Sequence, residues 1–161
     1  MYVGTHVCLP VITVVTIDIM RVLRGKQKLL TNWQLFFIGI AGFLPDLLWP
    51  HLSRTGRLNS WTHTIWFLVL LLPLVLLISR IIMKRKYLLF SLLFWLAAVS
   101  HVFLDIISGG VRLLYPFNER ITGTYLIPWP YWIRIDILFV ILLTVLLVNR
   151  RIVIRLNLSR S

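Results

Sequence analysis

Residues 100–105 read Ser-His-Val-Phe-Leu-Asp, so His101 and Asp105 lie four positions apart. On an α-helix this spacing places the imidazole and the carboxylate on one face, one turn apart. The two side chains can then bind one metal ion together, or Asp105 can orient His101 while His101 binds the metal. The spacing leaves one alternative open, which is a buried His–Asp pair that only locks helices together.

Three other scarce ionisable residues, His6, Asp46 and His63, extend this pair to three imidazoles and two carboxylates. Nitrogen and oxygen ligands without a thiolate suit zinc, manganese or iron, and we expect zinc first. The predicted metal ligands are therefore His6, Asp46, His63, His101 and Asp105. Asp46 and Asp105 are also the candidate catalytic carboxylates, since a carboxylate that does not bind the metal can act as a general base. His51 is interpreted as an exposed residue or a further ligand.

The elements that position these residues are predicted to be transmembrane helices. The chain has 161 residues, and only 14% of them are charged, against about a quarter in a soluble domain. Long apolar runs match the roughly 20 residues that cross a bilayer as a helix. The sequence therefore predicts an all-α, single-domain transmembrane bundle over residues 1–161. Its spans are expected at about residues 5–23, 33–49, 62–83, 87–107 and 131–148, with Asp18 and Arg21 spaced to pair near the end of the first.

The formal net charge of +12 would suggest nucleic acid in a soluble protein, but here the basic residues fall in short clusters between apolar runs. We therefore expect membrane lipid and no nucleic acid as the partner, while the oligomeric state stays open. With five spans, twelve lysines and arginines lie on one side and five on the other. This asymmetry predicts an inner-membrane protein with its N-terminus outside and its C-terminus in the cytoplasm.

This topology places all five predicted ligands towards the outer membrane face. Ionisable groups inside a membrane are costly and are retained mainly for function. The leading hypothesis is a metal-dependent hydrolase in which the metal activates a water at the outer leaflet. A lipid or lipid-linked phosphate ester suits that depth, and four arginines predicted on the same side are candidates to pair with phosphate. They are Arg54, Arg57, Arg112 and Arg134.

Two other functions remain open at this point. A metal or proton transporter normally has its site near the bilayer midplane, often at a repeat interface, and the chain shows no internal repeat. A non-enzymatic membrane protein would use the polar cluster only to fix helix packing.

The ordered motifs resemble the YdjM-like family of inner-membrane proteins, which are described as metal-dependent hydrolases. The matching residues are Thr5-His6, Pro45-Asp46, Thr62-His63-Thr64, His101 with Asp105, and the glycine-rich segment 109–117 that ends in Tyr-Pro-Phe. Together they extend over residues 5–117, about two-thirds of the chain. The resemblance implies a small membrane bundle with a metal site at these residues.

The sequence departs from the family pattern at two places. Leu47, Leu48 and Trp49 stand where many relatives have a second Asp or His after Pro-Asp. Residues 57–61 read Arg-Leu-Asn-Ser-Trp where many relatives have His-Arg-Gly. These departures leave three possibilities open: one metal instead of two, His51 as a substitute ligand, or an inactive relative.

Overall fold

The computed structural model describes residues 3–49, 56–83 and 86–158, and these ranges contain five α-helices and no β-strand. The helices are α1 (Val3–Leu23), α2 (Asn32–Leu48), α3 (Ile65–Ile82), α4 (Tyr87–Ser108) and α5 (Trp132–Leu158). Four of them are long and apolar enough to cross a membrane, and α2 is an apolar helix of 17 residues. The expected all-α bundle is confirmed.

Helix α5 is the element whose length differs most from the apolar run that predicted it. The run ends near residue 148, whereas the helix continues to Leu158. Its last turns carry Arg150, Arg151 and Arg155, which end the apolar run without breaking the helix because arginine is a good helix former.

The helices pack in a definite order across the bundle. Helix α1 lies against α2 and α5, and α4 lies against α2 and α3. An apolar cluster joins the first, second and fourth helices in the middle of the bundle. It includes Val11, Val14, Val15, Ile38, Ala41 and Ala97.

Helices α1 and α2 approach closely at Gly42. A Cβ atom added there would collide with the carbonyl oxygen of His6 and lie 2.9 Å from Cγ of Pro10. Only glycine leaves room for the two backbones at this distance. The contact brings the start of α1, with His6, beside the end of α2, with Asp46.

Caps fix where α2 and α3 begin. Thr31 and Gln34 form a reciprocal capping box at the start of α2. The Thr64 hydroxyl accepts a hydrogen bond from the Phe67 backbone N–H at the start of α3. His63 is the last residue of the preceding short 3₁₀ segment, Trp61–His63, and Thr64 is the one residue between it and α3.

At the end of the bundle away from His6 and Asp46, a buried ion pair joins Asp18 on α1 to Arg150 on α5. Arg150 donates from Nε to Asp18 at 2.8 Å, and it also bonds the Asn32 side chain and the Leu30 carbonyl, each at 2.8 Å. The expected pairing of Asp18 with Arg21 is therefore wrong. The guanidinium of Arg150 donates to three acceptors at once, whereas Nε of Arg21 is buried without a partner among the described residues.

Candidate metal centre

Four side chains from three elements meet at one end of the bundle. Asp46 lies in the last turn of α2, His63 ends the 3₁₀ segment, and His101 and Asp105 lie one turn apart on α4. Each offers one ligand atom, and these four atoms all lie within 4.8 Å of one another. These residues were predicted from the sequence to lie towards one membrane face, and in the structure they form one cluster.

The distances within this cluster match the size of a tetrahedral metal site. His63 Nε2 lies 3.2 Å from His101 Nε2, 3.1 Å from Asp46 Oδ1 and 3.4 Å from Asp105 Oδ2. His101 Nε2 lies 3.5 Å from Asp46 Oδ1 and 3.5 Å from Asp105 Oδ2. Four ligands about 2.0–2.1 Å from a zinc ion stand about 3.3–3.4 Å from one another in a tetrahedron. Five of the six donor pairs therefore have the spacing of ligands to one divalent ion, and all four donors lie within 4.8 Å of one another.

Helix α2 orients His101. The Nδ1 atom of His101 lies 2.8 Å from the carbonyl oxygen of Gly42. A carbonyl oxygen only accepts, so Nδ1 carries the proton and donates it. In the neutral imidazole, Nε2 then presents its lone pair to the cluster, which is the form that binds a metal.

A chain of hydroxyl groups orients His63 in the same way. The Thr62 hydroxyl donates to the Pro45 carbonyl at 2.8 Å, and the Ser60 hydroxyl lies 2.6 Å from Thr62 Oγ1. Because the Thr62 proton is already donated, Ser60 must donate to Thr62. Ser60 Oγ then accepts from His63 Nδ1, which lies 3.0 Å away. The Nε2 lone pair of His63 therefore also faces the cluster.

In this arrangement the Nε2 lone pairs of His63 and His101 face each other, and the carboxylates of Asp46 and Asp105 face both of them. With both imidazoles neutral, no proton separates the two Nε2 atoms at 3.2 Å, and a cation is required to make the contact favourable. Protonation of one histidine is the alternative, and it corresponds to a cluster that only holds helices together. The donor set, its spacing and its oriented imidazoles fit a metal.

Asp105 is shared between this cluster and Arg57. Arg57 Nη1 donates to Asp105 Oδ1 at 2.7 Å, while Oδ2 faces the two histidines. A Cβ atom added at Gly109 would collide with Nη2 of Arg57, so the glycine makes room for the guanidinium. The resulting buried ion pair fixes which oxygen of Asp105 is turned towards the cluster.

His6 lies beside the group of four. Its ring stacks on that of His101 with centroids 4.0 Å apart, and its Nε2 lies 3.6 Å from Asp105 Oδ1. The side chain is fully buried, and neither ring nitrogen has a hydrogen-bond partner among the described residues. Buried polar atoms are normally paired, so an uncompensated imidazole points to a missing partner.

The cluster is closed on most sides. His63 and His101 have no exposed surface and Asp105 is 2% exposed, whereas the Asp46 side chain keeps 20% of its surface accessible. Access to the centre is therefore from the side of Asp46.

Of the arginines that were predicted to bind phosphate, those that the structure describes each contact a different residue. Arg57 is paired with Asp105, Arg112 donates from Nη1 to the Asn59 side chain at 2.9 Å, and Arg134 stands over the Tyr131 ring at 5.7 Å. Arg54 lies outside the described residues, as does His51.

Asp136 is a residue at this end that the sequence reasoning did not single out. It lies on α5 and is buried, and its carboxylate accepts from the backbone N–H groups of Gly4, at 3.0 Å, and Thr5, at 2.9 Å. The Thr5 hydroxyl donates to it as well. A carboxylate at a helix N-terminus is stabilised by the free N–H groups there, and this one anchors the turn that carries His6. An acidic residue near the start of an apolar run was the available signal.

Five apolar helices around a buried His/Asp cluster define a multi-pass membrane protein with a site that fits a metal ion. The chain matches the YdjM inner membrane protein family over residues 1–159 and belongs to that family. The comparisons with curated proteins and with solved structures find no significant match.

Proposed function

We propose that the protein is a membrane-embedded, metal-dependent hydrolase that acts on a lipid or a lipid-linked phosphate ester. The observation that carries the proposal is the convergence of four oriented donors at distances that suit one divalent ion. In the predicted orientation this centre faces outside the cytoplasm.

His63, His101, Asp46 and Asp105 are the proposed metal ligands, and His6 is the proposed fifth ligand because both of its ring nitrogens lack partners. We propose zinc, whose bond lengths match the spacing of the donors, with manganese and iron as the rivals. We propose one ion and not two, because the positive charge of Arg57 lies against Asp105 Oδ1 and would repel a second cation there. When bound, the metal supplies a Lewis acid that activates water and polarises the substrate oxygen.

The two carboxylates have different proposed roles. Asp105 is held by Arg57 through one oxygen, so its position is fixed and it orients the centre. Asp46 is the more exposed of the two and stands at the entrance; Oδ1 faces the histidines as the proposed ligand atom, and we propose that its other oxygen takes a proton from the attacking water as the general base.

A phosphate ester is the proposed substrate class because cations stand at the same end of the bundle. Arg112 and Arg134, with Arg54, are the proposed phosphate contacts, since one guanidinium can bind two phosphate oxygens, whereas Arg57 is engaged by Asp105. Exposed aromatic residues at this end, Trp129 and Tyr131, suit the membrane interface, where a lipid headgroup is found.

The packing of α1 supports the proposed hydrolase over a transporter. Between His6 and Asp18, helix α1 packs Val11, Val14 and Val15 into the apolar cluster. A transport path needs polar groups near the midplane, and the described part of α1 offers none facing the core there. A polar cluster that only fixes helix packing remains the main rival, and the bonds of His101 to Gly42 and Thr62 to Pro45 are what it would use.

The test is hydrolysis by the full chain in mild detergent. Phosphate release would be measured from a diacylglycerol phosphate and a polyprenyl diphosphate, and fatty-acid release from a carboxylic ester lipid beside them. Chelation should abolish release and zinc should restore it, and Asp46→Asn should lower the rate by about 10²-fold or more. Ser100→Ala, a neighbour of His101 that bonds the Ala97 carbonyl, is the matched control.

Two outcomes would count against the proposal. Equal release by the wild type and by Asp46→Asn would assign the activity to a contaminant. A protein that carries its metal in full and releases nothing from any of the three lipids would contradict hydrolysis of this substrate class.

A further inference from the structure

A groove of about 1060 Å³ runs along the outside of the bundle, and none of the proposed metal ligands is among the described residues that line it. Helix α1 forms its floor at Val7 and Val11, and α2 and α5 form its walls. Several of the wall side chains are well exposed, including Phe36 at 57% and Leu47 at 52%. The groove is therefore an open, largely apolar channel on a surface that faces the membrane.

The length of the groove suits an acyl chain. Its α2 wall extends from Asn32 to Leu47, and fifteen residues of helix span about 22 Å. One leaflet contributes roughly 15 Å of hydrocarbon to a bilayer. An acyl chain that enters at one end of the groove therefore fits within it.

The end of the groove opposite the metal centre is strongly basic. Lys28, Arg151 and Arg155 line it and are exposed, and none of the described residues that line the groove is acidic. Arg150 also lines it, but its guanidinium is saturated by Asp18, Asn32 and Leu30. Three cations therefore remain at this end, facing the region where headgroups lie.

We propose that this groove binds a phospholipid with an anionic headgroup. The phosphate lies among Lys28, Arg151 and Arg155, and one acyl chain lies between α2 and α5 on the floor formed by α1. The charge of the three cations selects the headgroup, and the apolar walls accept the chain. This lipid is separate from the proposed substrate, because its headgroup binds at the far end of the bundle from Asp46.

Native mass spectrometry of the full chain tests the proposal. The protein in mild detergent is incubated with equal amounts of dioleoyl phosphatidylglycerol and dioleoyl phosphatidylcholine, which share the same chains. The wild type should retain the anionic lipid at least about fivefold more than the zwitterionic one. The combined variant Lys28→Gln, Arg151→Gln, Arg155→Gln should lose this preference.

A matched variant separates the groove from the general positive charge of this membrane side. Arg24→Gln, Lys26→Gln, Arg80→Gln removes the same charge from exposed residues that do not line the groove, and it should keep the preference. Equal loss in both triple variants would overturn the proposal and indicate diffuse attraction only. Equal retention of the two lipids by the wild type would overturn it as well.

A second variant tests where the chain lies. Leu147→Trp places a larger side chain in the groove wall and should lower the retention of both lipids without changing their ratio. Undiminished retention in this variant would show that the acyl chain is not in the groove. All of these variants leave the metal centre intact, so their outcome does not depend on the hydrolase proposal.

Discussion

Ser60 accepts a hydrogen bond from His63 and donates its own proton to Thr62, which donates to the backbone of α2 at Pro45. The last acceptor is a carbonyl, so the direction of every proton in the chain follows from it. His63 is left with its Nε2 lone pair towards the other donors. The chemistry of the centre therefore depends on residues that do not belong to the donor set.

Ser60→Ala should weaken metal binding by about 10- to 100-fold, because His63 loses the partner that fixes its tautomer and ring orientation. Competition with a fluorescent zinc chelator measures the affinity. Ser100→Ala removes a hydroxyl of the same size elsewhere and should bind as the wild type does. An unchanged affinity in Ser60→Ala would show that the hydroxyl chain has no part in the centre.

At this scale the sequence predicted that His101 and Asp105 lie together, but not the ion pair that Asp105 makes with Arg57. The spacing of His101 and Asp105 defines their neighbourhood directly, because both lie on α4. The ion pair of Arg57 with Asp105 joins residues 48 positions apart. It depends on the path of the 3₁₀ segment Gly56–Asn59, which carries Arg57 and which no periodic pattern in the sequence describes.

At the scale of elements, the position of α1 is set by its two neighbours. Gly42 admits the backbone of α1 against α2, and Asp136 on α5 holds the first turn of α1 through Gly4 and Thr5. His6 follows directly on Thr5. Its place beside His101 is therefore a consequence of helix packing on both sides.

Asp136→Ala should lower the free energy of unfolding by about 1–3 kcal/mol, since it leaves buried backbone donors at the start of α1 without an acceptor. The midpoint of thermal unfolding in detergent, followed by size-exclusion chromatography, measures the change. Asn149→Ala, an exposed position on the same helix, is the control. Equal midpoints for the two variants would contradict the anchoring role.

The helices themselves could be predicted because apolar runs of membrane length have few other structures available. The extension of α5 to Leu158 could not, since its arginines end the apolar signal but not the helix. The contact of Asp136 with α1 was also out of reach, because it joins the first and last helices.

At the scale of the whole molecule, polar residues are separated between two ends. The His/Asp cluster and Asp136 lie at one end, and the Asp18–Arg150 pair lies at the other. Lys86 bonds the carbonyls of Lys28 and Leu29, so two basic loops meet at the second end. The apolar cluster of α1, α2 and α4 lies between the two ends. The orientation of these ends across the membrane stays a prediction from charge asymmetry.

Fusion of reporters to the C-terminus tests that orientation. The positive-inside asymmetry predicts a fluorescent fusion with green fluorescent protein and an inactive fusion with alkaline phosphatase. An active phosphatase fusion would reverse the topology and place the metal centre at the cytoplasmic face. The same fusions to a protein of known topology calibrate the two signals.

The metal content of the purified protein decides whether the His/Asp cluster binds an ion. The full chain, purified in mild detergent without a histidine tag or added metal, would be measured by inductively coupled plasma mass spectrometry beside His101→Ala, Asp105→Ala and Ser100→Ala. We expect about one zinc per chain in the wild type and in Ser100→Ala, and little in the two ligand variants while they remain monodisperse. His6→Ala should lose less metal than His101→Ala, since His6 lies outside the group of four donors. A wild-type protein that contains no metal and takes none up on titration would contradict the account, and the cluster would then serve only to hold the helices together.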